Sequence, residues 1–187
     1  GTDADVTIDG GTTALIITAS TIDGDLTLTS DHASGITDSA TDSSDPVVVG
    51  GNFSATTGAN NGVINMGAMA VDGTVALNTN GTGAATIVND AGINFAASTV
   101  GGALSATATT GDITDSGALA ITGAATFITG ATGSNIVLDT STNAFSNSVE
   151  MRADGGGEAF GNITFIDSAG IDFATSAGSN GDLYINS

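Results

Sequence analysis

Apolar residues fall along this chain in short alternating runs rather than in helical stripes. Val6-Thr7-Ile8, Leu26-Thr27-Leu28, Val75-Ala76-Leu77, Ile93-Asn94-Phe95, Leu119-Ala120-Ile121, Val149-Glu150-Met151, Ile171-Asp172-Phe173 and Leu183-Tyr184-Ile185 each read apolar, polar or small, apolar. That period of two belongs to a strand with one buried face. Between the runs stand Gly10-Gly11, Asp23-Gly24, Asn61-Gly62, Asp72-Gly73, Asn80-Gly81 and Asn180-Gly181, pairs that supply the positive φ of tight turns. The abundance of Gly, Thr, Ser, Asn and Asp disfavours helix, since each weakens it or competes for its backbone. The pattern predicts an all-β chain of short strands and sharp turns.

The runs recur. Ala91 to Leu104, AGINFAASTVGGAL, is echoed upstream by Ala14 to Leu26 and downstream by Ala169 to Leu183. One 78-residue step carries Leu15 to Ile93 and Ile93 to Ile171, and the same step carries Ile17 to Phe95 and Phe95 to Phe173. A fixed period takes precedence over any local motif. A solenoid fits better than a sandwich for three reasons: nothing like a linker separates the copies, the strands are short, and few aromatics leave Ala, Val, Ile, Leu and Thr to stack in a narrow interior. At about 20 residues per coil, one repeat spans about four coils and the chain about nine, a rod of ~45 Å. Residues 1–187 are thus expected to be one continuous β-solenoid segment, cut from a much longer chain because two periods and a remainder are no natural stopping place. The repeat is interrupted at Asp38 to Pro46 and at Ala153 to Glu158, both expected to bulge from a coil, with Pro46 at a corner or strand start because it cannot donate to a ladder.

Charge narrows the choice of partners. Twenty Asp and Glu face a single cationic side chain, Arg152, for a net charge of -19. Nucleic acid and anionic membrane surfaces need a basic footprint and are excluded, and no apolar run is long enough for a helix to insert into a membrane. The apolar fraction of 40% supplies material for a core and argues against disorder. Without Cys there is neither a disulfide scaffold nor a thiolate metal site.

Candidate chemistry is sparse. His32, beside Asp31 and between Ser30 and Ser34, lacks the elbow context of a Ser-His-Asp site and reads as a loop residue. Asp23 with Asp25, Asp112 with Asp115, and Asp154 with Glu158 are close enough in sequence to share a Ca²⁺ ion, which takes carboxylates and carbonyls. Neither an EF-hand loop nor a tandem calcium nonapeptide accompanies them, and an Asp beside Gly is more often a turn former. Thr27/Thr29, Thr107/Thr109 and Thr140/Thr142 read as outward strand positions rather than an ice-binding face, and the triplets at Asn52, Asn80 and Asn162 occur as often as such a composition produces them. No cofactor is expected.

One stretch carries a family likeness. Ser98 to Gly130, STVGGALSATATTGDITDSGALAITGAATFITG, followed by Ile136-Val137-Leu138-Asp139 and Asn143-Ala144-Phe145, resembles the repeat region of filamentous haemagglutinin-like exoproteins, the large adhesins of bacterial two-partner secretion. It departs from them in being more acidic. The resemblance implies a right-handed parallel β-helix, secreted and displayed at the cell surface. On this reading the chain is a structural, adhesive shaft without enzymatic activity. Its partners are itself, by axial stacking or continuation of the parent chain, and receptors or glycans on host or neighbouring cells. The competing reading is a polysaccharide-active β-helix enzyme. Such sites use Lys or Arg near metal-binding carboxylates, and one Arg with no Lys leaves that chemistry short of residues.

Overall fold

The computed structural model describes residues 4–39, 45–58, 60–153, 155, 160–170, 172–177 and 183–186. In chain order its strands are β1 (Val6–Asp9), β2 (Leu15–Ile17), β3 (Ser20–Ile22), β4 (Leu26–Ser30), β5 (Ile36–Asp38), β6 (Val47–Val49), β7 (Phe53–Thr57), β8 (Ile64–Val71), β9 (Thr74–Asn78), β10 (Ala85–Asn89) and β11 (Ile93–Phe95). They continue with β12 (Ser98–Val100), β13 (Leu104–Ala108), β14 (Ile113–Asp115), β15 (Leu119–Ile121), β16 (Ala125–Thr129), β17 (Ile136–Leu138), β18 (Ala144–Phe145), β19 (Val149–Arg152), β20 (Ile163–Ile166), β21 (Phe173–Ala177) and β22 (Leu183–Asn186). The alternating runs read from the sequence all lie in these strands, except that of Ile171-Asp172-Phe173 only Phe173 does, Asp172 standing just before β21 and Ile171 lying outside the described residues. Pro46 immediately precedes β6, as its missing N–H requires.

Pairing is parallel throughout the described strands. One sheet, here sheet I, runs β1-β4-β7-β9-β11-β14-β17-β20-β22 with β12, β15 and β18 beside this path. The other, sheet II, runs β2-β5-β8-β10-β13-β16-β19-β21 with β3 and β6 beside it. Because consecutive strands of one sheet are separated in sequence by a strand of the other, the chain winds between two parallel sheets as a β-solenoid. The ladder pairs Leu15 and Ile36, Ile64 and Ala85, and Leu104 and Ala125 share a 21-residue step. Longer steps, from Ile36 to Ile64 and from Ile136 to Ile163, contain the two interruptions expected to bulge. Residues 40–44, 154 and 156–158 of those interruptions lie outside the described residues.

The 78-residue period is not a whole number of coils. β2, β3 and β4 recur one period on as β11, β12 and β13, yet β2 and β3 belong to sheet II and β11 and β12 to sheet I, while β4 is in sheet I and β13 in sheet II. Within sheet II, Leu15 is followed by Ile36, Ile64, Ala85 and Leu104, so Ile93 falls between the third and fourth steps. One repeat is therefore three and a half coils, not four, and equivalent residues of successive repeats face opposite sides. From β2 to β7 the coils place a bent pair of short strands in sheet II and a continuous strand in sheet I, from β11 to β19 the reverse, and β8, β9 and β10 between them are all continuous.

Burial follows the alternation. β4, β7, β10, β13 and β16 each bury their first, third and fifth residues, and these stack into columns such as Met66–Ile87–Ala106–Phe127–Met151. Large and small side chains mix along a column, which lets a narrow interior reach close packing. Phe127 enters from sheet II above Ala106, and its ring meets Phe95 and Phe145 of sheet I edge-on at centroid distances of 6.2 and 6.1 Å. Phe145 and Phe165 continue the stack at 5.1 Å. Corners stay thin where glycines lie on glycines: a Cβ on Gly101 would strike the carbonyl oxygen of Gly81, itself at φ +61°, and one on Gly123 would strike Gly102.

Candidate functional site

Layers this close leave little free surface, so side-chain chemistry concentrates at the corners and bends. At the corner entering sheet I, the Oδ1 atom of Asp5 accepts the N–H of Asp25 at 2.9 Å, Asp25 Oδ1 accepts that of Asn52 at 2.7 Å, and Asn52 Oδ1 accepts that of Thr74 at 2.9 Å. The same ladder resumes higher up, where Asp112 Oδ1 accepts the Asn135 N–H at 2.7 Å and Asn135 Oδ1 that of Asn162 at 2.8 Å. Each Asx side chain thus serves the next coil, giving the corner an axial polarity. Short polar side chains suit this task because they can bond backbone without leaving the corner.

The calcium candidates divide between separate tasks. Asp25 belongs to the ladder, while Asp23 is exposed in the same turn. Asp112 and Asp115 stand just before and at the end of β14 and turn to different partners. Asp115 accepts the Asp139 N–H at 3.0 Å, and its other oxygen accepts from Asn143 Nδ2 at 2.6 Å. Its repeat counterpart Asp38 accepts the Ala68 N–H at 2.7 Å, also across a bend of the next coil but on the opposite sheet. Asp154 and Glu158 lie outside the described residues. Among the described residues no three His, Cys, Asp or Glu side chains are grouped to hold a metal ion.

His32 is engaged in its own loop, its Nδ1 accepting the Ser34 N–H at 3.0 Å, and Ser30 Oγ donates to the Thr13 carbonyl. Thr27 and Thr29 face outward on β4 beside Ser54 and Thr56 of β7. Of the three glycosylation triplets, Asn52 and Asn162 stand just before strands and belong to the ladder, and Asn80 sits on an exposed corner. Arg152 pairs with Glu150 on the same strand, an exposed ion pair of small energetic weight.

Buried polar residues are the feature that sequence reading missed. Asn89 is fully buried at the end of β10; its Oδ1 accepts the Val71 N–H at 2.8 Å and its Nδ2 donates to the carbonyls of Val71 and Gly92. Asn143 accepts the Leu119 N–H at 2.8 Å in the same manner. The signal was present in Ala85-Thr86-Ile87-Val88-Asn89, whose alternation places Asn89 inward. Asp167 occupies the position of Asn89 one repeat later. Its Oδ1 accepts the N–H groups of Phe145 and Ala169, each at 3.0 Å, but its buried Oδ2 has no hydrogen-bond partner. Asp167→Asn would supply the donor that Asn89 uses, so it is expected to stabilise the chain by about 1–2 kcal/mol. Thermal denaturation of the variant checks this, and a lower midpoint than that of the parent chain would refute it.

A family model described as "Repeats of unknown function (DUF5649)" matches residues 82–152, from the corner before β10 to the end of β19. Among curated proteins and among solved structures, none matches the chain.

Proposed function

We propose that this chain is a segment of the shaft of a secreted bacterial surface filament or adhesin, with a mechanical rather than catalytic role. The observation that carries the reading is axial: each coil's backbone and each Asx of the corner ladder bond to neighbouring coils, so length grows by adding repeats without altering those in place. Adhesion and secretion rest on the likeness of Ser98 to Gly130 to filamentous haemagglutinin-like repeats. A net charge of -19 spread over a rod of about 40 Å makes free rods repel sideways, while coil ends present unpaired strand backbone that favours axial continuation. Lateral bundling should therefore need divalent cations or high salt.

Electron microscopy and light scattering, in chelator and in millimolar Ca²⁺, test the proposal. Single thin rods in chelator and bundles in Ca²⁺ are expected. Compact globules in both, or turnover of a glycan abolished by one carboxylate substitution, would overturn it.

A further inference from the structure

Half-integral repeats have a mechanical consequence at their boundaries. Inside a repeat, like strands stack on like: β4 pairs with β7 from Leu26–Phe53 to Ser30–Thr57, and β10 with β13 from Ala85–Leu104 to Asn89–Ala108, without a break. Bent pairs also stack on bent pairs, β11 and β12 on β14 and β15. Where one repeat gives way to the next, a continuous strand must lie on a bent pair or the reverse, and their lengths do not match.

The register records the mismatch. In sheet I, the backbone ladder of β9 with β11 and β12 is reduced to Thr74–Asn94, Val75–Phe95 and Asn78–Thr99, and side chains take over between them: Ser98 Oγ accepts the Leu77 N–H at 3.1 Å and Asn78 Oδ1 the Thr99 N–H at 3.2 Å. In sheet II of the same boundary β8 lies on the bent pair β5 and β6, through Ile36–Ile64 and Thr37–Asn65 and then Val47–Met69 to Val49–Val71, and its ladder with β10 slips between Ile87 and Asn89. At the next boundary the ladder of β20 on that side runs to β17 and not to β18, which is reached instead by Asp167 and Ser168 bonding Phe145 and Asn143, and the β19–β21 ladder slips between Val149 and Glu150. These two slips are the register shifts of the described strands, and both fall at repeat boundaries.

The corner widens at the same place. It has two residues between β8 and β9, three between β10 and β11, and four between β13 and β14. The short turn leaves a notch of about 290 Å³ bounded by Asp72, Asn94, Asp112 and Thr114, and the Oδ1 atom of Asn94 is buried beside it without a hydrogen-bond partner.

We propose that each repeat boundary is a built-in joint, at which the rod opens locally and bends while the coils on either side move as stiff bodies. In the first boundary the ladder of sheet II, held by the Asn89 side chain on Val71, remains the stronger connection. A filament of such repeats would be compliant once in every repeat.

Amide hydrogen exchange on this chain tests the proposal directly. β9 and β11 are near the middle of the stack, where a uniform array of coils protects its amides most because fraying starts from the ends. The joint predicts the opposite order: amides of β9, β11 and β12 exchanging about tenfold faster than those of β13 and β16. Equal or slower exchange in β9, β11 and β12 would overturn it. The chain has no cysteine, so a disulfide between T74C and N94C, which are ladder partners across the joint, can be compared with one between S105C and T126C inside a repeat. The first should bring β9, β11 and β12 to the level of β13 and β16 and the second should not; equal effects of the two staples would refute a local joint.

Discussion

Phe127→Ala is expected to destabilise the protein by roughly 3–5 kcal/mol, the cost of removing a large buried ring from a close-packed interior. The reason is local. Phe127 is fully buried, its ladder neighbour below is Ala106, and the rings of Phe95 and Phe145 approach it edge-on. With an alanine already beneath, only Met151 on the other side can move partly into the space, and two aromatic contacts are lost together. The thermal midpoint should fall by on the order of 10 °C, whereas Thr107→Ala, on the outward side of β13, should stay within about 0.5 kcal/mol of the parent. Adding Ala106→Ile to Phe127→Ala should recover part of the loss. Similar midpoints for Phe127→Ala and Thr107→Ala would show that the phenylalanine stack does not bear the core.

Ile113→Asp is expected to cost several kcal/mol and to unwind the coils around it. Ile113 is fully buried in the column Ile93–Ile113–Ile136–Ile163, so the new carboxylate would lose its hydration with no cation to receive it. Ile93→Asp should cost less although Ile93 is also buried, because the residue lines the notch and a carboxylate there is nearer to water. Asp90→Asn, at an exposed corner close to Ile93 in the chain, should change little. Circular dichroism with limited proteolysis would rank the variants. Ile113→Asp unfolding no earlier than Asp90→Asn would contradict the inward placement of the column.

Much of the fold was legible in the chain. Strand positions followed from alternation because side chains of a strand point to opposite faces, and Val75-Ala76-Leu77 or Ile93-Asn94-Phe95 has one obvious inward set. Corners followed from Gly pairs, since Gly81 takes the left-handed φ of +61° that other residues rarely adopt. The two interruptions of the repeat were visible as polar or Gly-rich runs, and they are where the coils lengthen. Of the candidate site, the sequence showed that Asp25, Asp112 and Asp115 stood in or beside turns, but not that each bonds the backbone of the next coil. Those partners are 27, 23 and 24 residues away in the chain, and only stacking brings them together.

Local order, then, was determined by the sequence alone: short strands, tight corners and a 78-residue period, each encoded within a few residues by side-chain alternation, glycine conformation and repetition. The relation between repeats was decided only by tertiary structure. How many coils fill one period depends on how many residues each corner absorbs, a quantity set by closure against the coil below. That closure makes the period three and a half coils, sends β11 and β12 to the sheet opposite β2 and β3, and places a joint where unlike strands must stack.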